Sequence, residues 1–273
     1  MTISANCKIN IGLDVLERRE DGYHELSTVM IPVRGLFDTL HISIIESKKT
    51  EFEGRGLMID CPTQDNLCIK AYNLMQSRYP QIGHVKIILD KKIPFGAGLG
   101  GGSADATAVI LAVNSLFNLG LNESQLIDLA SELGSDTAFF VRNSPQLCSS
   151  RGEVMTPIDL DLDGKYLMLI KPDVNVSTRE AYAGVRPAYP ETPLSKLVAL
   201  PLEEWQGQIK NDFEDHIFRS HPILGRIKED ILSCGAIYAA MSGSGSTIYG
   251  IFDDIEKAKS EQLNCYSPYI FEL

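Results

Sequence analysis

Five glycines crowd into the nine residues from Pro94 to Gly102. Each glycine weakens regular structure by roughly 0.5–1 kcal/mol relative to alanine, and in exchange allows positive φ and close approach of the backbone to another group. Directly after the run, Val109, Ile110, Val113, Leu116 and Phe117 recur at helical spacing, which predicts a helix over 104–118 with Ser103 as its cap. A glycine loop that feeds a helix start offers free N–H groups and the positive end of the helix dipole, and phosphate is the commonest occupant of such a site. A plain surface turn needs only one or two glycines. The stretch Pro94, Phe95, Gly96, Ala97, Gly98, Leu99, Gly100, Gly101, Gly102, Ser103 and Ala104 therefore reads as a phosphate loop.

Two familiar phosphate motifs fit it poorly. The P-loop pattern ends in Gly-Lys-Ser/Thr, and here glycine runs straight into Ser103 with no lysine between. Gly96, Gly98 and Gly101 satisfy G-x-G-x-x-G, but the dinucleotide fold also requires a second strand after the helix. The chain instead continues with Asn122-Glu123-Ser124-Gln125, which resembles a capping box, and then Leu126, Leu129, Ala130 and Leu133 at helical spacing. One helix leads into another, so a nicotinamide or flavin enzyme is the weaker reading.

The chain has 273 residues, 44% of them hydrophobic, which is enough for two domains each with a core. Its net charge of −11 argues against a nucleic-acid partner. No apolar run approaches the roughly 20 residues of a membrane span, and the N-terminus lacks the pattern of a signal peptide. These features predict a cytoplasmic protein with no membrane partner. The six cysteines (Cys7, Cys61, Cys68, Cys148, Cys234 and Cys265) form no C-x-x-C pair, so reduced thiols are expected in place of zinc ligands or disulfides.

Along the chain, residues 7–13, 40–45 and 84–89 alternate as strands, with one helix over 65–78. The second half predicts a strand at 166–170, a helix at 221–234, strands at 236–240 and 247–252, a helix at 255–263 and a last strand at 269–271. That β-α-β-β-α-β order predicts a ferredoxin-like layer with residues 177–216 inserted after its first strand. The class is α+β. Asp161-Leu162-Asp163-Gly164 marks the boundary, giving domains 1–160 and 161–273.

Other residues could carry chemistry. Ser242-Gly243-Ser244-Gly245-Ser246 is either a hairpin or a second loop facing the same nucleotide. Asp136 precedes the apolar run Ala138-Phe139-Phe140, a setting that suits a general base, although spacing alone favours a first-turn helix carboxylate. Lys8 stands on a strand between apolar neighbours, as a snorkelling side chain or as a buried cation. Asp21-Gly22-Tyr23-His24-Glu25 is a turn whose Tyr-His pair offers a ring face and a hydrogen-bonding edge to a heterocycle.

Pro94 to Asp105 resembles the P-x-x-x-G-L-G-G-G-S-S/A-D/N loop of the GHMP small-molecule kinases, and Ser242 to Thr247 is similar to their C-terminal loop. Lys8 to Leu13, Arg19 to Glu25, Leu133 to Asp136 and Asn211 to Glu214 resemble the branch of that family that acts on a cytidine diphosphate derivative of methylerythritol. Cys7, Thr107 and Ser246 depart from the pattern. The resemblance implies a two-domain GHMP kinase architecture, an N-terminal ribosomal-protein-S5-like domain followed by a C-terminal ferredoxin-like one. It implies transfer of the γ-phosphoryl of ATP, with Mg²⁺, to a tertiary hydroxyl of the methylerythritol moiety in non-mevalonate isoprenoid synthesis. Asp136 would be the base and Lys8 would hold Asp136 and the developing charge. Asn66, Lys91 and Asp105 would surround the adenosine. Tyr23 and His24 would take the cytosine, Asn10 would lie near the reacting diol, and Thr178 and Tyr182 would line the substrate cleft. The metal ligands stay open, and either a monomer or a homodimer fits. A GHMP kinase for mevalonate, homoserine or a sugar would share the loops but not the Gly-Tyr-His segment. A noncatalytic nucleotide module would not need both Lys8 and Asp136.

Overall fold

The computed structural model describes residues 1–58 and 61–273. Two compact units divide the chain: residues 1–8, 32–95 and 100–144 form the first, and residues 9–31, 96–99 and 145–273 the second. The long strands β1 (Thr2–Arg18) and β2 (His24–Ile44) run through both.

In the first unit β3 (Glu51–Gly56) is parallel to a strand over Val85–Lys91, which pairs antiparallel with the end of β2, Leu40 opposite Leu89 and Ile42 opposite Ile87. This strand, β4, buries Val85, Ile87 and Leu89 by strict alternation, and the same register carries Lys91 to the buried face. Helix α1 (Leu67–Arg78) turns Cys68, Ala71, Tyr72 and Met75 inward at helical spacing. It packs on α2 (Gly101–Leu116), which is buried on nearly every side through Ala104, Ala106, Ala108, Ala112 and their apolar neighbours. Helices α3 (Glu123–Ser131) and α4 (Phe139–Arg142) complete the unit. The capping box expected at Asn122 is present: Gln125 N–H donates to Asn122 Oδ1 and Asn122 N–H to Gln125 Oε1, both at 3.0 Å.

In the second unit Leu26–Met30 pairs with β5 (Gln146–Ser150), which turns back into β6 (Val154–Pro157). After β7 (Tyr166–Ile170) come α5 (Thr178–Ala183), α6 (Leu194–Leu197), α7 (Glu214–Ser220) and α8 (Pro222–Ser233). Then come β8 (Tyr238–Met241), β9 (Ile248–Phe252), α9 (Ile255–Ala258) and β10 (Tyr269–Glu272). The antiparallel order β10-β7-β9-β8 is the ferredoxin-like one that the strand pattern predicts. Leu224, Ile227 and Ile231 of α8 join Met168, Ile170, Ile248 and Phe252 in its core, each contributing about 1.5–3 kcal/mol when fully buried. A Cβ on Gly250 would stand 2.4 Å from Ile231 Cγ2, so that glycine sets how closely helix and sheet approach.

Several boundaries differ from expectation. The helix predicted over 65–78 begins at Leu67, because Thr63–Asp65 forms a separate 3₁₀ turn and Asn66 caps the helix, accepting from Cys68 N–H at 2.9 Å. The helix predicted over 104–118 starts three residues earlier, with Gly100 as its N-cap at φ +69°, so Ser103 lies inside the first turn and does not cap it. A serine in that left-handed conformation would cost about 1–2 kcal/mol, which glycine avoids. The helix predicted over 255–263 splits, because Ser260 takes an extended backbone between α9 and a 3₁₀ turn over Glu261–Tyr266. The helix predicted over 221–234 is shorter by a residue at each end, and the strand expected over 236–240 begins at Tyr238. Among the described residues no helix is long and apolar enough to cross a membrane.

Candidate active site

The glycine loop is pinned by two of its non-glycine residues. Ala97 and Leu99 are buried, while Gly96, Gly98 and Gly100 take positive φ of 61°, 75° and 69°. Gly98 has no alternative, since a Cβ there would fall 2.0 Å from Ser242 O. Beyond Gly100, the first intrahelical bond of α2 runs from Ala104 N–H to Gly100 O at 2.9 Å. The N–H groups of residues 101–103 precede it, and among the described residues no side chain caps that turn. They point along the positive end of a 16-residue helix.

Lys8 lies beside this helix start. A Cβ on Gly100 would stand 3.0 Å from Lys8 Cγ and 3.0 Å from Phe140 Cζ, so the glycine admits the lysine stem against the loop. Lys8 Nζ pairs with Asp136 Oδ2 at 3.1 Å, the lysine 3% exposed and the aspartate 33%. Burying an ammonium costs several kcal/mol unless it is paired, and Asp136 is one of its partners. The turn carrying Asp136 is tied to α2 by Thr107, whose hydroxyl donates to Thr137 O at 2.7 Å. The departure at Thr107 thus fastens the candidate base. Cys7, the neighbouring departure, is fully buried and its thiol is pushed up to about 12 by that burial, which leaves it inert.

Asn66, Lys91 and Asp105 come together in the same unit. With Cys61, Asp65, Leu67, Leu89, Phe95 and Gly102 they line a recess of about 120 Å³. Lys91 Nζ donates to Asp105 Oδ2 at 2.7 Å and to Asp38, whose other oxygen accepts the N–H groups of Lys92 and Ile93 at 2.6 and 2.8 Å. Burial raises the Asp105 pKa to about 7, Lys91 pulling it back and Asp38 pushing it further. Burial alone would lower the Lys91 pKa, but the two carboxylates outweigh it and hold it above its ordinary value. Asp105 Oδ1 is buried and has no hydrogen-bond partner among the described residues. Asp38 escaped the sequence reading. The trace it left is an acidic residue in the apolar alternation of β2, opposite a strand that buries a lysine.

In the second unit Tyr23 and His24 part company. Tyr23 is 55% exposed, its N–H donating to Asp21 Oδ1 at 3.0 Å, and the Arg151 guanidinium lies 4.9 Å over its ring. His24 stacks on Tyr182, centroids 4.7 Å apart and planes at 20°, and Tyr182 meets Phe213 edge-on at 4.8 Å. Burial, and then the charge of Arg18, lower the His24 pKa, so near neutral pH the ring has one N–H donor and one acceptor nitrogen. Thr178 is on the exposed first turn of α5, one turn before Tyr182 and on the same side of the helix. Arg151 was not anticipated. Its turn is fixed by Ser150, whose N–H donates to Glu25 Oε1 at 2.8 Å and whose hydroxyl accepts from Arg19 at 2.8 Å.

Asn10 is buried, its amide donating to Thr28 Oγ1 at 3.0 Å and its N–H to Ser242 Oγ at 3.2 Å. Ser242 in turn donates to Gly98 O at 2.9 Å, and Thr247 N–H to Ala97 O at 3.2 Å. The Ser242–Ser246 turn is therefore seated against residues 96–99 and is not a free hairpin. Ser246, the third departure, donates to Val174 O.

A paired buried lysine and a half-open carboxylate at the end of a glycine loop, in a chain whose second half is ferredoxin-like, define a small-molecule kinase of the GHMP class. The family model described as the GHMP kinases N terminal domain matches residues 66–144, and that of the GHMP kinases C terminal matches residues 196–267. The chain is 45% identical to the 4-diphosphocytidyl-2-C-methyl-D-erythritol kinase of Parabacteroides distasonis over 94% of each chain. It is 45% identical to that of Bacteroides fragilis over 92% of each. A crystal structure of 4-(cytidine 5'-diphospho)-2C-methyl-D-erythritol kinase superposes with a TM-score of 0.81 at 31% identity, covering 99% of this chain and 98% of the other. The chain belongs to the 4-diphosphocytidyl-2-C-methyl-D-erythritol kinase family.

Proposed function

We propose that the protein transfers the γ-phosphoryl group of ATP to the tertiary 2-hydroxyl of 4-diphosphocytidyl-2-C-methyl-D-erythritol, a step of non-mevalonate isoprenoid precursor synthesis. The observation that carries this reading is the Lys8–Asp136 pair at 3.1 Å, packed beside the first turn of α2. Asp136 Oδ accepts the hydroxyl proton as the new O–P bond forms, while the bond from the γ-phosphorus to the bridging oxygen breaks and ADP leaves. Lys8 orients Asp136 and offsets the negative charge that develops on the acceptor oxygen. Phosphoryl transfer asks a protein mainly for such positioning and electrostatic stabilisation.

The loop Pro94–Ala104 holds the phosphates, and Asn66, Lys91 and Asp105 surround the adenosine in their recess. Mg²⁺ would supply charge neutralisation on the nucleotide phosphates. Asp136 is the one-third exposed carboxylate that would reach it. Tyr23 offers its exposed ring to the cytosine and His24 its edge, with Thr178 and Tyr182 beside them and Asn10 toward the diol. Domain 1–160 carries all of these residues except Thr178 and Tyr182, which belong to 161–273, and the two matched family segments fall on either side of that boundary. The six free thiols support a cytoplasmic setting.

A coupled ADP-release assay decides it. ADP should appear on adding the cytidine diphosphate substrate and not with mevalonate or homoserine. Turnover of either of those, with none of the cytidine compound, would overturn the assignment.

A further inference from the structure

Asn211 opens the segment Asn211-Asp212-Phe213-Glu214, and none of the roles above uses it. It is 3% exposed. Its Nδ2 donates to Met241 O and to Gly243 O, both at 2.8 Å, and its Oδ1 accepts Phe213 N–H at 3.0 Å. Both amide hydrogens thus go to the two carbonyls that flank Ser242, the residue bonded to Gly98 O and to Asn10 N–H. From the other side Glu214 Oε1 takes Met241 N–H at 2.7 Å, with Lys228 on its second oxygen. A Cβ on Gly243 would stand 3.3 Å from Gly98 O, so residues 96–99 rest directly on a turn that one side chain grips at both ends.

We propose that Asn211 is the positioning residue of the phosphate loop: by holding the Met241 and Gly243 carbonyls it sets Ser242 against Gly98, and so fixes nucleotide affinity without touching the nucleotide. The inference rests on the assignment of ATP to that loop. Only an amide meets these demands. An aspartate has the same shape and keeps the acceptor for Phe213 N–H, but has no N–H to give and turns an oxygen toward two carbonyls. A role in general stability would weaken every ligand together, whereas a role in seating residues 96–99 falls on the nucleotide alone.

The test compares Asn211→Asp with wild type by calorimetric titration of ADP and, separately, of cytidine diphosphate. Ile217→Ala, a fully buried core change in the same unit, serves as the stability control. Asn211→Asp should weaken ADP by about tenfold or more, the scale of leaving two buried carbonyls unpaired. Cytidine diphosphate should stay within about twofold, and Ile217→Ala should lower the melting temperature yet leave the ratio of the two affinities unchanged. Ser242→Ala should reproduce the selective loss on a smaller scale, and it carries the decision if Asn211→Asp fails to fold. Unchanged ADP affinity, or equal weakening of both ligands, would overturn the proposal. Failure of the underlying assignment looks different: wild-type protein would itself show no saturable ADP binding.

Discussion

Gly98→Ala is the most sharply determined change in the loop. Two costs add. Alanine at φ +75° pays for a left-handed backbone, about 1–2 kcal/mol. Its methyl would also sit 2.0 Å from Ser242 O, and overpacking of this kind typically costs about 1–3 kcal/mol. The obstruction is a backbone carbonyl held between Asn211 contacts, so it cannot rotate aside as a side chain would. Gly96→Ala isolates the first cost, because Gly96 has φ +61° and nothing within 4 Å of its virtual Cβ. The two variants should therefore differ by about 1–3 kcal/mol. They should be compared by urea denaturation and by KM for ATP, where about 1.4 kcal/mol corresponds to tenfold. In Gly96→Ala the shift should be that of the backbone alone. In Gly98→Ala it should be larger, appearing as lost stability, as raised KM for ATP, or as both. Equal behaviour of the two variants in both assays would refute the close seating of residues 96–99 on the Ser242 turn.

Asp136→Asn should keep ATP binding and lower kcat by at least about 10²-fold, and combining it with Lys8→Ala should cost far less than the product of the single effects. A single-turnover loss under about tenfold, or multiplicative losses in the cycle, would remove the pair from the chemistry. Tyr23→Phe should leave KM for the cytidine substrate nearly unchanged, and Tyr23→Ala should weaken it by about 1–3 kcal/mol. His24→Ala should instead reduce preference for cytidine over uridine diphosphate substrate, and a comparable rise in KM for ATP in either variant would sink the assignment. Asp105 titrates at about 7 in the fold, above its ordinary 3.8, so between those pH values the unfolded chain has released a proton that the folded chain keeps. Its contribution to stability therefore falls as pH rises through that window. The melting temperature of wild type minus that of Asp105→Asn should decline from pH 4 to pH 7, and a constant difference would show that Asp105 does not titrate there.

The glycine loop and the ferredoxin-like order were legible because both depend on local pattern. Glycine spacing sets a backbone path, and alternating apolar runs separated by a helical period set strand order. Lys8 and Asp136 were each visible as an odd residue in apolar surroundings, but their pairing was not, since 128 positions separate them. The helix start was misread at Ser103 for a specific reason: capping rules favour a side-chain oxygen, and here the left-handed Gly100 ends the loop first. Asp38 and Arg151 were missed, and Asn211 was marked by resemblance without a role, because each acts on a residue far away in sequence. Asp38 meets Lys91 only through the pairing of β2 with β4, and Asn211 meets its two carbonyls across 30 and 32 residues.

A chain of net charge −11 that binds triphosphate has to locate its positive potential somewhere. Its two buried lysines near α2 do not stand as spare cations: Lys8 shares its charge with Asp136, and Lys91 faces both Asp38 and Asp105. If the glycine loop holds the phosphates as proposed, its backbone supplies much of that potential. The N–H groups of residues 101–103 and the dipole of α2 give positive potential that involves no titrating group, adds nothing to net charge and is fixed in direction by the loop. Such a site depends on geometry more than on charge, because partial charges on N–H groups act only at hydrogen-bond range. Buried hydrogen bonds serve that geometry within each unit: Ser242 donates to Gly98 O and Asn211 to Gly243 O in the second, and Thr107 ties the turn bearing Asp136 to α2 in the first. By the same reasoning, one methyl group at residue 98 should disturb nucleotide binding more than the removal of any exposed lysine.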